Sequence, residues 1–360
     1  MSDVYVHRLR LLRARLAAKS IGALLITHLP NIFYLSGFSG DSGALLVDES
    51  RVALLTDGRF TVQARQELRI GARLVISRGP LVKSVGEWLR RKRVTVGFEA
   101  SQVTVAQMKA LRRATGPSTR WVPLTAMVEG LRAIKDADEI DRMRRAARLA
   151  SSTLAEVLPL LKPGVREFEI AAEIEYRMRG NGAEGPSFKT IVAFGARAAL
   201  PHARPTAKKL RKNELVVLDL GAILAGYCSD LTRTVYVGKA SSRIRNWYEA
   251  VRQAQGAAIA ATRSGALAGD IDGAARRVLA GMGLGKYFIH STGHGLGLEI
   301  HEDPRLARGQ KQLLQAGNVV TIEPGVYVQG VGGIRIEDDV AVHADRVEVL
   351  TVAPRDFLEL

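Results

Sequence analysis

Leu9, Leu12 and Leu16 recur at helical spacing through the first twenty residues, with arginines between them, and predict an amphipathic surface helix. Behind it, the apolar run Ile21 to Thr27 reads as a strand, and Ala44 to Val47 pairs with Val52 to Leu55 around Asp48-Glu49-Ser50-Arg51. Phe60 to Arg69 reads as helical. Strands at Arg73 to Ile76 and Val94 to Phe98, with helices at Leu81 to Arg91 and Val105 to Arg113, complete a small α/β layer closed near Gly116-Pro117. The pattern then changes. Leu131, Ile134, Ile140, Met143 and Ala147 fall on one face of a charged helix, with Lys135 to Asp141 as its exposed face. Helices are predicted at Asp138 to Leu161 and Glu167 to Arg179, broken by Lys162-Pro163-Gly164. From Ser187 on, strands dominate: Phe188 to Phe194, Leu215 to Leu224, Tyr227 to Val237, Val319 to Ile322 and Gly333 to Val342, with helices between Arg243 and Gly281. The fold expectation is an α/β domain over residues 1–124, a linker over 125–137 and an α+β domain over 138–360.

The hairpin of this second domain carries the first chemistry. If the segment from Leu215 to Val237 turns at Ala225-Gly226, Asp219 faces about Thr232, and period-2 parity puts Asp230 on the face of Asp219. Two carboxylates on one face of an apolar hairpin repel each other and lose solvation, so they call for a cation or a shared proton. A second acidic pair follows. Glu323 ends the apolar strand Val319 to Ile322, and Glu337 lies in Gly333-Ile-Arg-Ile-Glu-Asp-Asp339, where Asp338 and Asp339 also allow a solvated edge. Between the pairs, His290, His294 and His301 stand in a glycine-punctuated run of twelve residues that holds three of the seven histidines. Four carboxylates with one imidazole suit two hard or borderline divalent ions, and such a pair activates water and polarises a carbonyl.

Composition narrows the classes. Of the 360 residues, 47% are hydrophobic and 24% charged, an average globular balance. One cysteine excludes a disulfide framework, points to a reducing cytoplasm, and keeps Cys228 out of any Cys-rich zinc site. Cys228 shares parity with Asp230 and reads either as a packing residue or as a neighbour of the site. The longest uncharged run, Ile21 to Gly40, is interrupted by Pro30, Asn31 and glycines, which excludes a membrane helix. The basic start also fits a targeting segment, against which Asp3 and the strand directly behind it argue. Net charge is +16, with 20 Lys+Arg against 9 Asp+Glu in residues 1–130. Those arginines are scattered without aromatic partners and read as a solvated surface, not as a nucleic-acid face.

Asp-Leu-Gly-Ala at 219–222, Ser-Asp-Leu-Thr-Arg-Thr at 229–234, Gly-His-Gly-Leu-Gly-Leu-Glu-Ile-His at 293–301, Ile-Glu-Pro-Gly-Val-Tyr at 322–327 and Gly-Gly-Ile-Arg-Ile-Glu-Asp at 332–338 resemble the pita-bread metallopeptidases. Within them, Asn31 to Phe38, Thr56 to Phe60 and Leu131 to Asp136 are similar to the aminopeptidase P and prolidase branch, with its creatinase-like N-terminal domain. The resemblance implies that Asp219 chelates one metal, that His294 and Glu323 hold the other, and that Asp230 and Glu337 bridge the two. It implies two divalent ions per chain, manganese first, with cobalt and zinc as alternatives. Glu323 would shuttle a proton, His202, His290 and His301 would line the substrate pocket, and Arg335 matches the arginine that marks the proline-specific branch. Phe188 and Tyr327 are candidates for its apolar wall.

The implied reaction is hydrolysis of an Xaa-Pro bond, in a homodimer, by aminopeptidase P or prolidase action. That bond is a tertiary amide without an N–H, so a dedicated site is needed. Methionine aminopeptidases would share the five ligands but resemble only the second domain. Non-catalytic peptide- or nucleic-acid-binding relatives have lost ligands that are intact here.

Overall fold

The computed structural model describes residues 2–90 and 94–360; the expected helix end at Arg91 and the side chain of Asp3 lie outside them. The chain forms two compact units, one running to Arg132 and the other spanning Ala133–Leu360. Among the described residues no helix is long and apolar enough to cross a membrane.

In the first unit, β1 (Ala23–Ile26), β2 (Ala44–Asp48), β3 (Val52–Asp57), β4 (Arg73–Ser77), β5 (Val94–Glu99) and β6 (Thr119–Leu124) form one mixed sheet in the order β4-β3-β2-β1-β5-β6. Helices Leu81–Leu89 and Val105–Thr115 pack on the face carrying Ala23, Leu25, Ala44 and Leu46. Leu24, Ile26, Leu45 and Val47, on the other face, are buried as well, so the central strands read as continuous apolar runs. Two elements escape the hydrophobic pattern. Helix Leu29–Ser36 contains Pro30, but in its first turn, where proline starts a helix; Gly37 ends it at φ 83°, its N–H donating to the Phe33 carbonyl. β6 contains Pro123, which an edge strand tolerates.

The junction differs from the expected single helix. Leu131 belongs to a short helix, Glu129–Arg132, whose approach is held by Arg15 donating to the Met127 and Gly130 carbonyls. A new helix, Ala137–Val157, starts at a capping box in which Asp136 accepts from the Glu139 N–H and Glu139 from the Asp136 N–H, an arrangement worth about 1 kcal/mol. Ile140, Met143 and Ala147 are buried as expected, but Ile134 is exposed. Lys135 and Glu139, expected on the solvent side, are buried; Lys135 pairs with Glu302 at 3.0 Å, the two side chains 1% and 7% exposed.

The second unit builds its core from strands backed by helices. Leu231–Val237, Glu214–Leu220 and Ile191–Phe194 form an antiparallel sheet, whose one face meets helices Ala137–Val157 and Glu167–Gly180 through Leu154, Ile174, Val216 and Leu218. A second sheet runs Glu302–Leu306, Gly293–Gly295, Val319–Ile322, Asp338–Val342, Val347–Val349. Helices Ser242–Ala261 and Ala268–Gly281 supply Val251, Ala254, Ile271 and Ala275 to its core. The hairpin turns at Ala225 and Gly226, both with positive φ, and its register places Asp219 opposite Thr232, as expected. Its long strands are interrupted. Leu215 to Leu224 breaks at Gly221, Tyr227 to Val237 breaks at Ser229-Asp230, and Gly333 to Val342 breaks at Ile336-Glu337.

Candidate metal centre

Those breaks place the acids. Asp219 projects from strand Glu214–Leu220, Asp230 from the gap before Leu231–Val237, and Glu337 from the gap between Gly332–Arg335 and Asp338–Val342. Glu323 follows directly on Val319–Ile322. His294 sits in the three-residue strand Gly293–Gly295, where the backbones approach so closely that a Cβ on Gly293 would run into the Thr321 carbonyl. Asp230, Glu323 and Glu337 therefore sit where regular pairing stops, and Asp219 and His294 join them from strands.

Hydrogen bonds fix their orientations. Thr232 Oγ1 donates to Glu337 Oε2 at 2.6 Å, and the Glu337 N–H donates to the Thr232 carbonyl at 3.1 Å. The Asp230 N–H donates to Asp339 Oδ2 at 2.9 Å. His294 Nδ1 lies 2.9 Å from the Gly295 carbonyl. A carbonyl only accepts, so Nδ1 carries the proton and Nε2 keeps its lone pair. Nε2 stands 3.7 Å from Asp230 Oδ2 and 3.6 Å from Glu323 Oε1.

The electrostatics leave a charge uncompensated. Burial pushes Asp219, Asp230, Glu323 and Glu337 above the ordinary carboxylate range, Glu323 to about 7, and for Asp230 and Glu337 the neighbouring acids push further in the same direction. Arg335 opposes this most strongly, with its guanidinium against Asp219 Oδ2, and the Thr232 hydroxyl opposes it at Glu337. Asp219 Oδ1 and Asp230 Oδ1 are buried and, among the described residues, accept no hydrogen bond. Burial likewise lowers His294 to about 4, which keeps Nε2 free to ligate. Ligand atoms of Asp230, His294 and Glu337 lie within 4.8 Å of one another. Orphaned carboxylate oxygens, a lone-pair imidazole and mutual repulsion fit divalent cations, which would supply the missing charge. Asp338 and Asp339 are not on a solvated edge: both are fully buried, Asp338 paired with Arg233 at 2.7 Å and with Arg355.

A cleft of about 440 Å³ opens over these groups, lined by Phe188, Ile191, His202, Ile300 and His301 besides the acids and His294. His202 and His301, expected in the pocket, are there. His290 and Arg335 do not line it. His290 Nδ1 faces the Ser291 carbonyl at 2.8 Å, so its Nε2 accepts from the Tyr327 hydroxyl at 2.9 Å, and that hydroxyl accepts from Arg335 Nη1 at 2.7 Å. Tyr327 is thereby a buried link and not a pocket wall, whereas Phe188 does line the cleft. Cys228 packs with its Sγ toward the Leu298 carbonyl and stays outside the lining. Thr232, Tyr327 and Asp339 carry no pattern of their own in the sequence; adjacency to the acidic motifs is the one signal that points to them.

The chain His290–Tyr327–Arg335–Asp219 makes a prediction. Tyr327→Phe leaves the ring in place but removes the hydroxyl that orients Arg335, so divalent-metal affinity is expected to fall about tenfold. A competition titration against a chromogenic chelator measures it, and wild-type affinity would show that Arg335 holds Asp219 unaided.

The model of metallopeptidase family M24 matches residues 141–344, and that of the creatinase/prolidase N-terminal domain matches residues 8–134. An Xaa-Pro dipeptidase of Pyrococcus furiosus is 35% identical, over 94% of this chain and 96% of its own. Among solved structures, an Xaa-Pro dipeptidase from Bacillus anthracis superposes with a TM-score of 0.95 at 35% identity, covering 99% of this chain and 100% of its own. An X-Pro aminopeptidase from Thermotoga maritima gives a TM-score of 0.89 at 33% identity, over 95% and 98% of the two chains.

Proposed function

The chain belongs to metallopeptidase family M24, and on that premise we propose that it hydrolyses the peptide bond between an N-terminal residue and proline. The observation that supports this most directly is the cleft itself: buried, partnerless carboxylate oxygens on its floor beneath a wall carrying Phe188, Ile191, Pro205 and Ile300. Acids at the floor suit metal-assisted attack on a carbonyl, and apolar side chains beside them suit a pyrrolidine ring, which has no N–H to satisfy. The relatives named as Xaa-Pro peptidases agree with this reading.

In the reading we favour, Asp219, Asp230, His294, Glu323 and Glu337 hold two divalent ions, of which manganese is the first candidate. When bound, the ions supply an acidified water and a polarised carbonyl. Glu323 takes the proton that leaves the attacking water and returns it to the prolyl nitrogen as the C–N bond breaks, so the departing imino group leaves neutral. Its carboxylate ends strand Val319–Ile322 and lines the cleft 3.6 Å from His294 Nε2, beside the space the water and the scissile bond would occupy. His301, which burial keeps neutral near pH 7, and His202 face the same space and donate N–H groups to the developing oxyanion. Arg335 fixes Asp219 and acts as a positioning residue.

The test compares Ala-Pro with Ala-Ala as substrates of the metal-loaded protein. Cleavage of Ala-Pro at a kcat/KM well above that of Ala-Ala is the expected result. Equal rates, or a preference for Ala-Ala, would remove proline from the assignment while leaving a family M24 peptidase.

A further inference from the structure

By spacing alone Asp272 and Arg276 form an ordinary i,i+4 pair on helix Ala268–Gly281, beside its buried stripe Ile271, Ala275 and Leu279. The fold puts them to another use. Asp272 is 1% exposed, and four donors converge on its carboxylate: Arg276 Nε at 2.6 Å, Arg276 Nη2 at 3.1 Å, and the N–H and hydroxyl of Thr292 at 3.1 and 2.9 Å. Arg276 reaches the same segment directly. Its Nη1 donates to the Phe288 carbonyl at 3.1 Å and its Nη2 to the His290 carbonyl, while its guanidinium lies 4.3 Å from the centre of the Phe288 ring. The helix thus grips the chain at residues 288, 290 and 292.

What that grip orients is a pair of ligands. The Thr292 carbonyl accepts from the Glu323 N–H at 2.7 Å, which fixes how Glu323 leaves the end of strand Val319–Ile322. Two residues beyond Thr292, the His294 N–H donates to Thr321 Oγ1 at 3.2 Å, with Gly293 pressed against the Thr321 carbonyl between them. Thr292 is therefore the joint from which both His294 and Glu323 are aimed. The other three ligands are braced elsewhere, Asp219 by Arg335, Asp230 by Asp339 and Glu337 by Thr232. A buried carboxylate that takes four donors has little freedom left, so Asp272 transmits its position to Thr292.

We propose that Asp272 and Arg276 are positioning residues for one metal alone, the one held by His294 and Glu323. The inference rests on the five-ligand, two-ion reading above. Its test titrates the chelated, metal-free full chain with manganese and follows the two binding steps by calorimetry. Asp272→Asn takes away the charge that holds Arg276, and one step should weaken about tenfold while the other keeps its wild-type affinity. Thr292→Val removes only the hydroxyl bond to Asp272, leaves Arg276 and the backbone contact with Glu323 in place, and should weaken the same step about threefold. It carries the test where Asp272→Asn fails to fold. Arg144→Gln, which breaks the pair with Glu348 on the outer strand of the second sheet, controls for general loosening and should change neither step.

Wild-type affinity at both steps in every variant that folds, or equal losses at the two steps, would overturn the proposal. A wild type that binds a single ion would refute the two-ion reading instead. The pair is then judged on that ion, whose affinity must fall in Thr292→Val and hold in Arg144→Gln.

Discussion

Glu337→Gln should cut hydrolysis of Ala-Pro about a thousandfold, the loss of roughly 4 kcal/mol of transition-state stabilisation that metal assistance supplies. The substitution keeps the shape of the side chain and an oxygen able to accept from Thr232 Oγ1, but removes the charge that faces Asp230 and His294. Metal content of protein purified without chelator should fall with activity. The chelated variant, meanwhile, should melt above the chelated wild type at pH 8. Glu337 is buried at 2% exposure among other acids, and a neutral amide there relieves repulsion. Retained activity, or a variant less stable than the wild type in the metal-free state, would show that Glu337 is neither ligand nor source of repulsion.

Chelation of the wild-type protein should make its stability fall as pH rises from about 6.5 to 8. Asp219, Asp230, Glu323 and Glu337 have folded-state pKa values raised by burial, so the folded chain binds more protons than the unfolded one between the ordinary carboxylate pKa and the raised value. Stability then drops with rising pH, by about 1.4 kcal/mol per pH unit for each acid still protonated. His290 and His294 work the other way. Both are lowered to about 4, so their contribution rises between pH 4 and 6.5 and is flat above it, where they are neutral in both states. The acids therefore act alone above pH 6.5. Adding manganese back should abolish the slope and raise the melting temperature, adding about 4 kcal/mol of stability at a thousandfold excess over Kd. A chelated protein as stable at pH 8 as at pH 6.5 would mean that the acids ionise without a cation.

Much of this centre was legible from spacing. Parity along one hairpin placed Asp219 and Asp230 on a shared face, because a two-residue turn with positive φ at Ala225 and Gly226 leaves the register no freedom. Glu323 stood out as an acid terminating an apolar strand. Glu337 was harder, since its neighbours Asp338 and Asp339 read as a solvated edge until the fold buried Arg233 and the Asp230 N–H against them. A charge run looks the same in sequence whether its partners are water or residues a hundred positions away. For the same reason His290 was grouped with the pocket histidines: the run 290–301 shows three imidazoles but not that Tyr327, thirty-seven residues on, takes one of them. In the first unit, Pro30 and Pro123 hid a helix and a strand, because proline's meaning depends on whether it opens a helix or lies on a sheet edge.

Arg233 donates to the carbonyls of Ala353 and Pro354, and the Tyr236 and Gly238 N–H groups donate to Leu358 and Leu360. The strand that follows Asp230 is therefore stitched to residues more than a hundred positions later. During synthesis the ligands emerge in the order Asp219, Asp230, His294, Glu323, Glu337, and the segment that braces the strand after Asp230 follows all five. A growing chain accordingly carries four acids without that support until residues 353–360 have been made. Loading of the ions belongs after translation of that segment, and a ribosome stalled shortly before it would hold a nascent chain unable to retain metal.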